Sequence, residues 1–197
     1  MGELTPGEAV TRMRTRMRGE TEPWASHADL TFSGADTLAD WLQHCAALIR
    51  RGEFVIPPMG GVPDTLYLWL NDAAFNPDRW FLAPFAFAWT GRPDPSPTDD
   101  LRDDVLGSEV GDVKTEAYTL VGMEALQRTF ADDVGPAHAG RFVTASAMAL
   151  VDDALPLAGD LGLRVGLSCS EEQVVALWTR GEDSWHAVVH VDDPAWD

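Results

Sequence analysis

Hydrophobic and polar residues alternate most regularly in the last third of the chain, from Leu161 to Asp192. Apolar residues occupy every second position in 161–169, and a similar alternation recurs in 174–179 and 185–191. Such a period of two is typical of β-strands in a sheet. Short polar segments separate the three stretches. The pattern therefore predicts a three-stranded antiparallel meander over this region.

The last two strands of this meander have a predicted register. Gly181-Glu182-Asp183-Ser184 has the composition of a hairpin turn, and we expect Arg180 to pair with Trp185 across it. The pairs that follow are Thr179–His186, Trp178–Ala187, Leu177–Val188, Ala176–Val189, Val175–His190 and Val174–Val191. One face of this hairpin is apolar and the other is half-apolar, which predicts a hairpin inside a sheet with one side covered.

Three other segments have the pattern of amphipathic helices. Thr5-Pro6-Gly7-Glu8 is a capping box with proline at the first helical position, and it predicts a helix that ends near Arg18. A second helix is predicted over Asp36–Arg51 and a third over Gly122–Asp133. The first helix has only a thin apolar stripe, so we expect residues 1–23 to be loosely attached.

The middle of the chain leaves alternatives open. Leu66–Leu70 alternates like a strand but follows a Pro-Asp pair that would suit a helix start. Arg141–Val151 is rich in alanine, which favours a helix, but contains Phe-Val-Thr, which favours a strand. Phe54–Ile56 is predicted as a short strand. Trp80–Leu82 and Phe85–Trp89 are predicted as two strand pieces, with a break at Pro84 between them.

These elements predict one α+β domain over residues 1–197. Residues 91–112 are rich in proline and aspartate and predict a long acidic loop, and no stretch has the composition of a linker between two domains. Strands cluster at the end of the chain rather than alternating with helices. The predicted architecture is an antiparallel sheet, with a C-terminal three-stranded meander, packed against two or three helices.

The net charge of the chain restricts the classes of partner that it can bind. The formal net charge is −18, and residues 92–133 carry eleven acidic and four basic side chains. Such a surface repels nucleic-acid phosphates and anionic membranes, so we expect no direct nucleic-acid binding and no membrane binding. It favours a basic protein partner. The sequence shows no signal-peptide core and no apolar run of the ~20 residues that a membrane span needs, so we expect a cytoplasmic protein.

The residues that could carry chemistry form no complete catalytic motif. His186 and His190 have the spacing of helical zinc ligands, but four residues of a strand span about 13 Å, too far for one ion. Ser168 or Cys169 next to one of these histidines would be a nucleophile–base pair, because the meander brings their strands near each other. We predict no metal site, no cofactor and no catalytic residue.

Aromatic residues supply the candidate binding site. The stretch 62–89 is unusually aromatic, and a segment of this kind forms either core or the rim of a binding groove. The histidines of the hairpin lie on its less apolar face. The predicted binding residues are Tyr67, Trp69, Trp80, Trp89, His186 and His190.

Three short segments carry a family resemblance. Gly61–Tyr67 looks like a proline-anchored helix start, Leu155–Gly162 like an apolar-Pro-apolar-Ala-x-Asp-x-Gly strand start, and Gln173–Trp178 like a late strand. In these segments the chain resembles the SUKH superfamily, which comprises bacterial immunity-type and regulatory binding domains. The chain departs from that family by adding the loop at 91–112. The resemblance implies an α+β fold whose sheet groove grips a protein partner without catalysis.

Three functional hypotheses follow from the sequence. The first is a non-enzymatic protein-binding module, immunity- or adaptor-like, motivated by the acidic surface and the aromatic stretch. The second is an enzyme with an unrecognised site near the C-terminal hairpin, using its histidines and Cys169. The third is an acidic mimic of nucleic acid, which would need its carboxylates in a duplex-like row. We rank them in this order.

Overall fold

Helices cover one face of a mostly antiparallel sheet, and the fold is α+β, as predicted. The computed structural model describes residues 4–58, 61–71, 79–87, 111–132, 135–169 and 175–190, without the side chains of Ala137, Val175 and His190. The helices are α1 (Pro6–Arg18), a 3-10 turn (Ala25–His27), α2 (Ala35–Arg51), α3 (Glu124–Asp132) and α4 (Ala137–Ala158). The strands are β1 (Phe54–Ile56), β2 (Thr65–Asn71), β3 (Phe81–Phe87), β4 (Gly111–Val113), β5 (Tyr118–Thr119), β6 (Arg164–Cys169), β7 (Val175–Arg180) and β8 (Trp185–His190).

In the described part of the chain, the strands follow the spatial order β1-β4-β3-β2-β6-β7-β8, and β5 pairs with the outer side of β3. β2 and β6 run parallel, and the other paired strands run antiparallel. Two neighbouring parallel strands need a long crossover between them. Here that connection includes α3 and α4. In the chain, these two helices follow β1–β5 and precede β6–β8.

The C-terminal meander has the predicted register. Arg180 pairs with Trp185, and the pairing continues to Val175 opposite His190. The expected pair of Val174 with Val191 lies outside the described residues. Ala176 and Trp178 are completely buried on the side of the helices, so a register slip by one residue would expose them. The alternation of apolar residues was therefore sufficient to predict this part of the sheet.

The long helix α4 settles the ambiguity of residues 141–151. All side chains from Phe142 to Met148 are buried, because α1 and α2 pack on this helix and its C-terminal part lies near β8. A helix that is apolar on all sides is typical of a protein interior. The β-branched residues at Val143 and Thr144 are accommodated there, since burial outweighs their weak preference for strands.

The N-terminal helix is packed firmly rather than loosely attached. Its capping box is present: Glu8 N–H donates to Thr5 Oγ1 at 3.2 Å, and Thr5 N–H donates to the Glu8 carboxylate at 2.9 Å. Met13 and Met17 are 0% exposed and belong to the main hydrophobic core. A thin stripe of flexible methionines is enough to fix the helix, because α4 offers it an apolar surface.

Residues 66–70 are a strand, which settles the second ambiguity. β2 lies between β3 and β6, at the centre of the sheet. The segment Gly61–Tyr67 therefore leads into a strand, and the helix start that the family resemblance implied is wrong here. Likewise, Leu155–Ala158 forms the last turn of α4 instead of the start of a strand.

A continuous strand replaces the two predicted pieces around Pro84. β3 runs through Pro84, which pairs with Leu68 of β2. On its other side β3 pairs with β4 at Phe85 and Ala86, and with β5 at Phe81 and Leu82. Pro84 falls between these two short partners. A proline is tolerated in a strand where no neighbouring strand needs its missing N–H, so the prediction of a break was wrong.

The predicted acidic loop lies mostly outside the described residues. Its last two residues, Gly111 and Asp112, belong to β4 instead, which pairs with both β1 and β3. Phe54–Ile56 forms the predicted short strand at the edge of the sheet. None of the helices in the described segments has the length and apolar character that a membrane span requires.

Candidate functional site

The two faces of the sheet differ in their surroundings. Along β2, Leu66, Leu68 and Leu70 are 0% exposed and belong to the core shared with the helices. The alternate residues Tyr67 and Trp69 point to the opposite face, because successive side chains of a strand alternate. Tyr67 belongs to a second, separate hydrophobic cluster. No helix among the described segments contributes to that cluster, so the second face is the candidate site.

Five aromatic side chains occupy this second face, and we call them the aromatic face: Tyr67, Trp69, Phe81, Phe85 and Phe87. Tyr67 and Phe87 are buried, whereas Trp69, Phe81 and Phe85 are half-exposed. The rings of Trp69 and Phe81 meet edge to face, with centroids 6.5 Å apart and an interplanar angle of 70°. Half-exposed aromatic rings with fixed neighbours are typical of protein-binding surfaces.

Tyr67 contacts two residues of the neighbouring strand, β6. Gly166 of β6 lies beside it in the register, and a Cβ at that position would lie 3.1 Å from Tyr67 Cδ2. The missing side chain therefore leaves room for the ring. The hydroxyl group of Tyr67 donates a hydrogen bond to Ser168 Oγ on the same strand. These contacts position the Tyr67 ring at the centre of the aromatic face.

One row of paired residues crosses the aromatic face and contains a carboxylate. Ile56 of β1 pairs with Asp112 of β4, Asp112 pairs with Phe85, and Phe85 pairs with Tyr67. Directly paired residues in a regular ladder share a face, and their Cβ atoms lie about 4.5–5.5 Å apart. The register of β1 shifts between Phe54 and Ile56, which is why Ile56 pairs with Asp112 although Phe54 pairs with Val113. Asp112 is half-buried, and Ile56 is 55% exposed at the edge. A carboxylate thus lies between an aromatic and an aliphatic side chain.

A guanidinium group already contacts this face from within the chain. Arg79 Cζ lies 5.8 Å from the centroid of the Phe81 ring. This distance is within the range of cation–π contacts. The aromatic face therefore accepts a positively charged planar group at one of its rings.

The structure separates the predicted binding residues. Tyr67 and Trp69 lie together on the aromatic face. Trp80 is 1% exposed and packs edge to face between Phe32 and Phe130, with centroids 5.9 Å and 6.1 Å away, so it is core and does not line a surface site. Trp89 lies outside the described residues.

The two histidines lie in the strand farthest from the aromatic rings. His186 is exposed, and its Nε2 lies 3.4 Å from Ser184 Oγ at the hairpin turn. The backbone of His190 pairs with Val175. β6 and β7 separate their strand from β2, so His186 lies on the same side of the sheet as Tyr67 but on another part of it.

The hypothetical nucleophile–base pairs are not close together. Cys169 belongs to the core on the helix side, whereas His186 is exposed on the other side, so these two cannot meet. Ser168 is on the same side as His186, but it pairs with Val175, and His186 pairs with Thr179. Four residues along a strand are about 13 Å. Ser168 and His190 share a row but lie two strands apart, about 10 Å between backbones.

Burial also makes one cysteine unreactive. Cys45 is 0% exposed in α2, and desolvation raises the pKa of its thiol to about 12. The thiolate, which is the reactive form, is then a negligible fraction at neutral pH. Over the described segments, no group of three His, Cys, Asp or Glu side chains lies close enough together to hold a metal ion.

Four residues of the site were not predicted from the sequence. Phe81, Phe85, Phe87 and Asp112 join the predicted pair Tyr67 and Trp69. The alternation of residues 81–87 could have shown that Phe81, Phe85 and Phe87 share a face, but the assumed break at Pro84 concealed it. No pattern in the sequence indicated Asp112, because its pairing with Phe85 of β3 cannot be predicted from the acidic stretch around it.

Comparison with protein-family models, with curated proteins and with solved structures finds no match for this chain.

Proposed function

We propose that this chain is a non-enzymatic protein-binding module, immunity- or adaptor-like, and that it holds a basic protein partner on the aromatic face. The observation that supports this most is the group of half-exposed rings, Trp69, Phe81 and Phe85, on a sheet side without a described helix. A ring in such a position loses little conformational entropy on binding and offers a large apolar area.

Charge and resemblance support the same proposal. The net charge of −18 favours association with a basic protein and disfavours nucleic acid. The resemblance to the SUKH superfamily implies a partner that is held by a sheet surface. The proposal keeps the expectation of a sheet surface and bases it on the half-exposed rings, because residues 65–67 form a strand where the resemblance implied a helix start.

The test is affinity capture from the native host, with variants that distinguish the two sides of the sheet. Trp69→Ala removes a half-exposed ring from the aromatic face. Leu157→Ala is the matched control, since Leu157 is 59% exposed near the end of α4 on the helix side. A basic protein that is captured by the wild-type chain and by the control is expected to be lost with Trp69→Ala.

The captured protein is then purified and titrated against the chain by calorimetry at low and moderate salt. A stoichiometric complex that weakens with salt and with Trp69→Ala supports the proposal. Equal binding by Trp69→Ala and Leu157→Ala would show that the partner binds outside the aromatic face. Co-purification of a small molecule or metal ion without a protein would instead favour the enzyme hypothesis.

A further inference from the structure

The aromatic face contains a place where a single positively charged side chain could be recognised. In the row that crosses the face, Asp112 stands directly between Phe85 and Ile56. A carboxylate in such an apolar row is costly to cover with an apolar partner, because it would lose its hydration without gaining a counter-charge. It therefore restricts which partners the face can accept.

Within the described residues, Asp112 takes part in no ion pair. Two positively charged side chains on this side of the sheet have other contacts: Arg164 Nη2 lies 3.8 Å from Asp64 Oδ2, and Arg79 lies over Phe81. The exposed Lys114, two residues after Asp112 in the described segment, forms no ion pair with it. The carboxylate of Asp112 thus retains its capacity for a counter-charge from a partner. Half-burial keeps that capacity accessible and reduces screening by solvent.

We propose that Asp112 and Phe85 together bind an arginine side chain of the basic partner. This inference rests on the proposed function and adds the chemistry of recognition. A guanidinium group can donate two parallel hydrogen bonds to a carboxylate and can stack on an aromatic ring at the same time. The ammonium group of lysine is more strongly hydrated and lacks the planar fork, so it fits this pair less well.

The contact of Arg79 with Phe81 shows the same chemistry elsewhere on β3. Phe81 and Phe85 are four positions apart on β3, and both rings are half-exposed on the aromatic face. One of them already has a guanidinium group at 5.8 Å from its centroid. A partner arginine at Phe85 would repeat that contact, with the added carboxylate of Asp112.

The experiment uses the full chain and three labelled ten-residue peptides of alternating serine with arginine, lysine or citrulline. Fluorescence anisotropy gives the dissociation constants at low and moderate salt. We expect the arginine peptide to bind about threefold or more tightly than the lysine peptide, and the uncharged citrulline peptide to bind weakest.

Two pairs of variants locate the contact. Asp112→Asn and Glu116→Gln each remove one negative charge, but Glu116 is exposed outside the row. Phe85→Leu and Phe54→Leu make the same change on opposite sides of the sheet, since Phe54 pairs with the core residue Val113. We expect Asp112→Asn and Phe85→Leu to weaken arginine binding about threefold to tenfold, and the controls less than twofold.

Equal effects of Asp112→Asn and Glu116→Gln would overturn the assignment, and so would equal affinities of the arginine and lysine peptides or no binding of either. These results differ from failure of the proposed function. If Asp112→Asn still binds the captured partner while Trp69→Ala does not, the arginine site is refuted and the protein-binding face remains. Far-UV circular dichroism of each variant confirms that it is folded.

Discussion

Replacement of Trp178 by phenylalanine tests how the C-terminal meander is fixed to the helix layer. Trp178 is 0% exposed, and its indole Nε1–H donates to Asp152 Oδ1 of α4 at 2.8 Å. A hydrogen bond to a charged acceptor contributes about 1.5–3 kcal/mol, and the smaller phenyl ring leaves a void worth about 1–2 kcal/mol. We expect Trp178→Phe to lower the free energy of unfolding by ~3–4 kcal/mol.

Trp185→Phe is the matched control in the neighbouring strand. The indole of Trp185 is half-buried and donates to a neutral acceptor, the carbonyl of Gly159, at 3.1 Å, so the same substitution should cost about 1 kcal/mol. Urea unfolding, followed by circular dichroism, measures the free energy of unfolding of both variants. The two values can be compared if the m-values are unchanged from the wild type. A loss at Trp178 no larger than at Trp185 would refute the reasoning. A double-mutant cycle with Asp152→Ala should give a coupling of about 1 kcal/mol or more.

Three further predictions concern the backbone, a thiol and a histidine. Gly122→Ala should destabilise the fold by ~2–4 kcal/mol in urea unfolding, because φ is +112° and the new Cβ would lie 2.5 Å from the carbonyl oxygen of Thr31. Gly52→Ala, at φ +70° in open space, should cost only about 1 kcal/mol, and equal losses would contradict this. Cys45, whose pKa is raised to about 12, should resist alkylation at pH 8 in the native protein and react only on unfolding, as peptide mass spectrometry can show. Burial lowers the pKa of His27 below its ordinary value of 6.5, so the unfolded chain binds the proton first and stability should fall as the pH drops through 6.5. His27→Gln should weaken that fall in pH-dependent thermal unfolding, and an unchanged slope would show that other groups cause it.

The sequence alone determined the elements whose pattern is local. The capping box at Thr5 fixes the start of α1, because its hydrogen bonds form between residues three positions apart. The alternation around Trp178 fixes the register of β7 and β8, because a slip of one residue would expose the apolar side chains. The charge and the aromatic stretch predicted a binding surface, which stays a prediction, and the alternation of residues 66–70 puts Tyr67 and Trp69 on one face of β2.

The tertiary structure decided what depends on distant neighbours. Residues 141–151 became a helix because α1 and α2 cover it, and Pro84 remained in β3 because its outer neighbours stop on either side of it. Trp80 became core because the Phe130 ring of α3 and the Phe32 ring of the segment before α2 pack against it. Asp112 lies beside the aromatic face only because β4 pairs with β1 and β3. Non-local contacts of this kind leave no periodic pattern along the chain, so only the folded arrangement brings them together.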